Sequence, residues 1–201
     1  MTIKFQYNKT SLQGLEKQFK MRVRALPTIK NKESALRFEV KKAKDEVSRL
    51  EFILHKRMEE YASMAALWGE FDTSLVNVKD VRMAMKKIAG VKTPVFEGAE
   101  FDIHPFSIFN QPKWFLDGIA LVKELATIGI EREFFAQKVI LLDFTRRKTT
   151  QKVNLFEKVQ IPGYEDAIRK IKRFLEDEEN LSKSAQKIVK SRQQARKEAE
   201  L

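Results

Sequence analysis

Apolar residues recur every seven positions across the first third of the chain. Counting by sevens from Leu12 leads to Trp68, and a companion column three residues on runs from Leu15 to Met64. Only three of the seventeen positions in these two columns are charged. A strict seven-residue repeat keeps one helical stripe against a partner in a left-handed supercoil. The pattern therefore predicts one helix from about Asn8 to Trp68, on the order of 90 Å long.

The start of this helix and one interruption can also be identified. Asn8 or Thr10 can cap the start, because a short polar side chain accepts hydrogen bonds from the first backbone amides. Pro27 removes a backbone donor and clashes with the preceding turn. The seven-residue phase passes Pro27 without a shift. We therefore expect a bend at Pro27 and not the end of a helix.

The middle of the chain loses the helical pattern. Leu75, Val76 and Val78 alternate with polar residues, and the segment from Ile88 to Phe101 contains Gly90, Pro94 and Gly98. Glycine and proline at this spacing indicate short strands with turns.

Helical periodicity resumes near Lys113, and a second ladder of apolar residues runs from Leu121 to Val189. Its spacing slips by an extra four residues between Gln160 and Ile168, at Pro162 and Gly163, and such a stutter locally unwinds a supercoil. The predicted fold class is mainly α: a long antiparallel two-helix coiled coil, formed by the N- and C-terminal helices, with a small lobe containing a short β-hairpin at the turn. A dimeric coiled coil is the competing arrangement, but it leaves the second ladder without a partner.

The predicted organisation has three parts within one extended structural unit. Residues 1–68 form the N-terminal coiled-coil helix, residues 69–112 the small lobe, and residues 113–201 the C-terminal coiled-coil helix. The residues predicted to line the coiled-coil seam are Leu12, Phe19, Leu26, Val40, Val47, Leu50, Leu54, Phe156, Ile168, Ile171, Leu175 and Val189.

The net charge of +11 is concentrated towards the two ends of the sequence. Nine Lys or Arg residues lie between Lys20 and Lys44, and six lie between Lys183 and Leu201. Such clusters suit an acidic partner, which could be nucleic acid, an acidic protein lining or an anionic membrane surface. Long solvated helices are also rich in Lys for solubility alone, so the charge does not select among these interpretations.

The sequence lacks the residue patterns of catalysis and of metal or cofactor binding. There is no Cys, and His55 and His104 are the only histidines, so a zinc site is not expected. No phosphate-binding glycine loop and no dinucleotide fingerprint occurs. The acidic run Glu176–Glu179 points in four directions on a helix and indicates a solvated turn. No apolar run has the length of a signal core or a membrane span. We expect a non-catalytic protein with no cofactor.

Three elements occur along the chain in an order typical of one protein family. The first is the opening Tyr7–Leu15, and the second is Ile88–Pro94 in the predicted hairpin. The third is carried by Val153, Asn154, Leu155, Glu157, Ile161, Pro162, Ile168, Ile171 and Leu175. In these elements and their order the chain resembles the D subunit of V-type and archaeal-type rotary ATPases, which has a T-x-x-x-L start and an M-G-V-x-V-P hairpin element. An arginine pair that often precedes the family's third element is replaced here by Gln151 and Lys152.

The resemblance implies a non-catalytic central-stalk rotor subunit of a V/A-type ATPase or ATP synthase. It would transmit torque between the catalytic ring of A and B subunits and the ion-translocating membrane rotor. The F subunit would clasp its flank and a socket subunit would hold the lobe end, on the cytoplasmic side of the membrane. The basic residues expected to face acidic loops of the ring are Lys20, Arg22, Arg24, Lys187, Lys190 and Arg192. The alternative is a basic coiled-coil scaffold or a nucleic-acid-binding protein.

Overall fold

The computed structural model describes residues 3–62, 69, 71–107 and 112–199. A β-hairpin separates the N-terminal helix from the C-terminal helical run, as the sequence predicts. The first helix ends at Glu60, earlier than predicted, and the predicted end at Trp68 lies outside the described residues. The elements are α1 (Lys9–Glu60), a 3₁₀ turn (Thr73–Leu75), β1 (Val76–Ile88), β2 (Val91–Ile103), α2 (Phe115–Asn154), a π-helical segment (Leu155–Gln160) and α3 (Ile161–Ala199).

The chain divides into two compact units. Unit 1 comprises Met1–Asn31 and Thr150–Leu201, and unit 2 comprises Lys32–Thr149. The three-part division at residues 68 and 112 stays a prediction.

Helix α1 begins where the sequence predicts and continues through its proline. The Asn8 carboxamide oxygen accepts a hydrogen bond from the Ser11 amide at 2.7 Å, which satisfies one of the free donors of the first turn. Pro27 lies inside the 52-residue helix. The interruption therefore costs a backbone hydrogen bond without ending the element.

In unit 1, α1 packs antiparallel to the C-terminal helical run. Glu16 pairs with Lys172 at 3.0 Å, while Lys30, further along α1, pairs with Glu157 at 2.7 Å. Because residue numbers rise along one helix as they fall along the other, the two helices run in opposite directions.

A π-helical segment lies at the start of the predicted slip in the second ladder. The Ile161 amide donates to the carbonyl of Phe156, five residues earlier, so this turn holds an extra residue. The segment ends two residues before Pro162, and the residues that follow it are rotated relative to the seam. The predicted slip, between Gln160 and Ile168, begins at the last residue of this segment.

Unit 2 contains a second stretch of antiparallel helix pairing, between α1 and α2. Arg132 of α2 binds Glu51 at 2.6 Å, and Arg57 binds Glu124 at 3.0 Å. Near the helix ends, Phe71, Leu75, Phe115 and Ile119 form a buried cluster.

The β-hairpin of unit 2 is longer than predicted and runs back along the helices. Each strand has 13 residues, about 43 Å at the usual rise. Its tip packs on a cluster of Leu36, Val40 and Leu142, here called the tip cluster. From Phe115, beside the base of the hairpin, to Leu142 is about 40 Å of helix, which matches the strand length. The residues of the hairpin tip packed on the tip cluster are Ile88, Ala89 and Val91.

The hairpin reverses direction in two residues. Ala89 and Gly90 have φ values of 47° and 85°, and two successive positive φ values are the signature of the tight hairpin turn. Ala89 adopts this conformation at a cost of about 1–2 kcal/mol. Its contact with the tip cluster offsets part of that cost.

Candidate functional site

The apolar seam of unit 1 centres on a cluster here called the end cluster, formed by Leu15, Ala167 and Ile171. Ile171 has no solvent exposure. Residues from both helices thus remove one another from water, which is the main source of stability for paired helices. The half-buried residues packed against the end cluster are Ile3, Phe5, Leu12, Tyr164, Ile168 and Leu175.

The twelve residues predicted for the seam occupy three different environments. Val40, Leu50 and Ile171 are buried, whereas Val189 is 53% exposed. The position of Val189 differs from the prediction because α3 extends beyond the level at which α1 begins. The half-buried members are Leu12, Phe19, Leu26, Val47, Leu54, Phe156, Ile168 and Leu175.

The final part of α3, here called the free segment (residues 180–199), extends past the start of α1. The ring centre of Tyr7, two residues before α1 begins, lies 4.9 Å from that of Phe174, so α1 begins near the residues that precede the free segment. Every side chain from 176 to 196 is exposed. The free segment is about 30 Å long. The predicted ring-facing residues within it, Lys187, Lys190 and Arg192, are all exposed.

Arg22 does not extend freely into solvent. Its Nε donates to the carboxamide oxygen of Gln160 at 2.7 Å, and its guanidinium carbon lies 4.6 Å from the ring centre of Tyr164. The side chain is half-buried between the helices. Arg22 therefore joins α1 to the π-helical segment and α3. The ring-facing role of this residue stays a prediction.

Lys20 and Arg24 retain the exposure that the prediction requires. They lie four residues apart on α1, so their side chains share a face of the helix. Both line a shallow surface groove, and exposed Met21 lies between them. The remaining groove residues are Gln13, Glu16, Lys17 and Ala25.

An exposed apolar patch, here called the flank patch, lies on α2 in unit 2. It consists of Ile140, Leu141 and Phe144, of which Ile140 and Phe144 are about 60% exposed. Leu142, on the opposite side of the helix, is fully buried in the tip cluster. The Lys148 ammonium lies 4.2 Å from the ring centre of Phe144 and covers part of the patch.

Asp143 connects two arginines on the same helix. Its carboxylate accepts hydrogen bonds from Arg146 at 2.8 Å and from Arg147 at 2.7 Å. The hydrogen bond from Arg146 is the main cause that lowers the pKa of Asp143, with the charges of both arginines adding to it. This group therefore stays ionised at neutral pH and orients both guanidinium groups.

Within the ranges that the structure covers, no group of three or more His, Asp or Glu side chains is arranged to hold a metal ion. Among the same residues, no helix is long and apolar enough to span a membrane.

The geometry defines a helical-hairpin protein with a long β-hairpin between its helices and charged or apolar faces left uncovered. The chain belongs to the ATP synthase D-subunit family, whose sequence profile matches residues 11–191. A similar protein is the D subunit of the V-type ATP synthase of Borreliella burgdorferi, which is 31% identical over 191 residues, 94% of each chain. The corresponding V-type ATP synthase protein of Chlamydia trachomatis serovar L2 is 27% identical over 98% of this chain and 100% of its own length. That of Chlamydia abortus is 28% identical over 86% of each.

Sequence reasoning missed the contribution of the N-terminal segment. The ring centre of Tyr7 lies 4.9 Å from that of Phe174. The side chain of Ile3 lies against Gly163, where an added Cβ atom would be 3.2 Å from the Cδ1 atom of Ile3. The segment is polar and basic overall, which hid its alternating apolar residues. The alternation of Ile3, Phe5 and Tyr7 with polar residues is the sequence pattern that could have predicted these contacts.

Proposed function

We propose that this chain is the central rotor subunit of a V-type ATP synthase and catalyses no reaction itself. It would transmit torque between a catalytic ring of A and B subunits and the ion-translocating membrane rotor. A socket subunit would hold its lobe end, and the complex would keep it at the cytoplasmic face of the membrane. Membership in the D-subunit family supports this assignment.

The antiparallel pairing of helices is the observation that carries the proposal. In unit 1, Ile171 is fully buried in the seam, and in unit 2 Leu36 and Leu142 are fully buried as well. Twisting such a pair requires two backbones and a packed interface to shear together, because side chains in a close-packed seam cannot slide independently. Torque applied at one end of a helix pair is therefore carried along it.

The free segment is the part proposed to enter the ring. Its exposed Lys187, Lys190 and Arg192, with Lys20 and Arg24 of α1, would meet acidic loops of the A and B subunits. Each exposed charge contact contributes about 0–1 kcal/mol. Several weak contacts can exchange between equivalent ring positions without a deep energy minimum, which a rotating part requires.

The F subunit is proposed to cover the flank patch. Ile140, Leu141 and Phe144 form a contiguous apolar surface next to a buried stretch of the helix pair. Uncovered patches of this kind mark protein interaction sites.

The experiment uses the absence of Cys from the chain. Val189→Cys gives a unique thiol in the free segment, which is labelled with a photoreactive reagent carrying a reducible linker. After reconstitution with A, B and F type subunits, illumination should link the chain to A or B and stop ATP turnover. Reduction of the linker should restore turnover.

A dark control makes this result specific. The labelled complex kept in the dark should retain turnover, which shows that the label itself is harmless. A linked complex that continues coupled ATP turnover would contradict the rotor proposal, because a part fixed to the ring cannot rotate within it.

A further inference from the structure

The two faces of the β-hairpin differ in what covers them. The inner face carries Thr93, which is fully buried, together with Ile88 and Val91 on the tip cluster. The outer face carries the cross-strand pair of Met83 and Phe96, since residues directly opposite each other in an antiparallel pair share a face.

Phe96 forms the border of the outer face. Its ring centre lies 5.6 Å from that of Phe134 in α2, and the side chain is half-buried. Its partner Met83 is 63% exposed. The exposed part of the outer face therefore begins at Met83.

The outer face continues towards the tip through two further cross-strand pairs. Met85 lies opposite Pro94, and Lys87 lies opposite Lys92. Met85 is 63% exposed, whereas Pro94 is half-buried. Met83, Met85 and Pro94 therefore form one apolar surface, here called the hairpin face, with the two lysines at its tip end.

The two lysines are an unfavourable arrangement within the chain itself. Like charges directly opposite on one face of a sheet destabilise the pairing. Neither Lys87 nor Lys92 forms an ion pair with a carboxylate in the described part of the chain, whereas Arg82 on the same hairpin pairs with Glu100 at 3.7 Å. The uncompensated charge beside an exposed apolar surface matches a ligand that supplies both carboxylates and apolar side chains.

We infer that the hairpin face docks an acidic segment of another subunit of the complex, with apolar side chains against Met83 and Met85 and carboxylates against Lys87 and Lys92. This inference rests on the proposed membership in a V-type complex. Methionine suits such a surface, because its flexible thioether adapts to an irregular partner.

The test introduces Met85→Cys as the only thiol of this chain and labels it with a benzophenone reagent before reconstitution; the assembled complex is then purified through a tag on this chain. Mass spectrometry then identifies the linked peptide. The expected product is a peptide of another subunit that contains at least two Asp or Glu residues next to apolar ones.

A charge variant provides the second readout. Lys87→Glu with Lys92→Glu should lower the yield of that product on the order of tenfold. Lys41→Glu with Lys42→Glu changes the charge equally at exposed positions of α1 and should leave the yield unchanged.

Several results would overturn the inference: no link to another chain, a link to a second copy of this chain or to nucleic acid, a linked peptide without carboxylates, or a yield that the lysine reversal does not change. If the complex assembles and turns over ATP but one of these results is found, the docking inference fails and the rotor proposal stands. If no A, B or F type subunit co-purifies with the tagged chain, both fail.

Discussion

Replacing Ile171 by alanine tests the apolar seam most sharply, because α3 also contains a matched control. Ile171 has no solvent exposure and lies in the end cluster, whereas Ile188 in the same helix is 55% exposed. Both substitutions remove the same atoms and change helix propensity equally. The difference between the two variants therefore isolates the contribution of burial.

The expected magnitude follows from the atoms removed. Ile171→Ala deletes three buried carbons, which is about 2.4 kcal/mol of transfer free energy. With the cavity left behind, the loss in the free energy of unfolding is about 2–5 kcal/mol. Ile188→Ala should change it by no more than about 0.5 kcal/mol.

The assay is urea unfolding of the full chain, followed by far-ultraviolet circular dichroism. With a slope of about 2 kcal/mol/M, Ile171→Ala should lower the midpoint by about 1–2.5 M. The Ile188→Ala midpoint should match that of the parent chain. Equal losses in the two variants would refute the reasoning, because they would show that position 188 is also covered or that position 171 is not.

Three further variants test other contacts. Arg22→Met should lower the free energy of unfolding by about 1–2 kcal/mol through loss of its contacts between the helices, whereas Arg24→Met should have almost no effect in the same urea assay. Leu50→Asp should cost several kcal/mol, because it buries a charge without a partner; unchanged thermal melting would contradict the burial of that site. Asp143 has a pKa lowered chiefly by Arg146, so its stabilising contribution is present above its ordinary pKa of 3.8 and is lost as the pH falls through the lowered value. Asp143→Asn should therefore lose less stability on acidification than the parent chain, and equal pH profiles would show that this pair contributes nothing.

The helical parts of the fold could be predicted because one face of each helix is covered along much of its length. Leu36, Ala43 and Leu50 fall in one column of the seven-residue pattern and are all buried. The pattern also passes Pro27 in phase, and the helix does continue there. The free energy lost at Pro27 is therefore smaller than the free energy that the seam contacts on either side of it contribute.

The length of the hairpin could not be predicted from the same rules. Pro94 and Gly98 indicate breaks in a central strand, yet both lie within β2. In a two-stranded sheet each strand has one free edge, where a residue without an amide proton loses no ladder hydrogen bond. The packing of the tip on Leu36 and Leu142 also depends on contacts far apart in sequence.

The candidate site was only partly predictable for a related reason. Composition identifies Arg22 and Lys20 as equally basic, but only the structure shows that Arg22 is bound to Gln160 between the helices. Similarly, Val189 continues the apolar spacing of the second ladder although α1 provides no partner at that level. Periodicity indicates which face is apolar, and the neighbouring element determines whether that face is covered.

Direct observation of rotation tests the central proposal. The chain has no native Cys, so Lys56→Cys on exposed α1 provides a single attachment point for a bead, with the catalytic ring of the reconstituted complex fixed to a surface. The proposal predicts ATP-dependent rotation of the bead in one direction, in discrete steps. A complex that hydrolyses ATP while the bead shows only thermal fluctuation would contradict it.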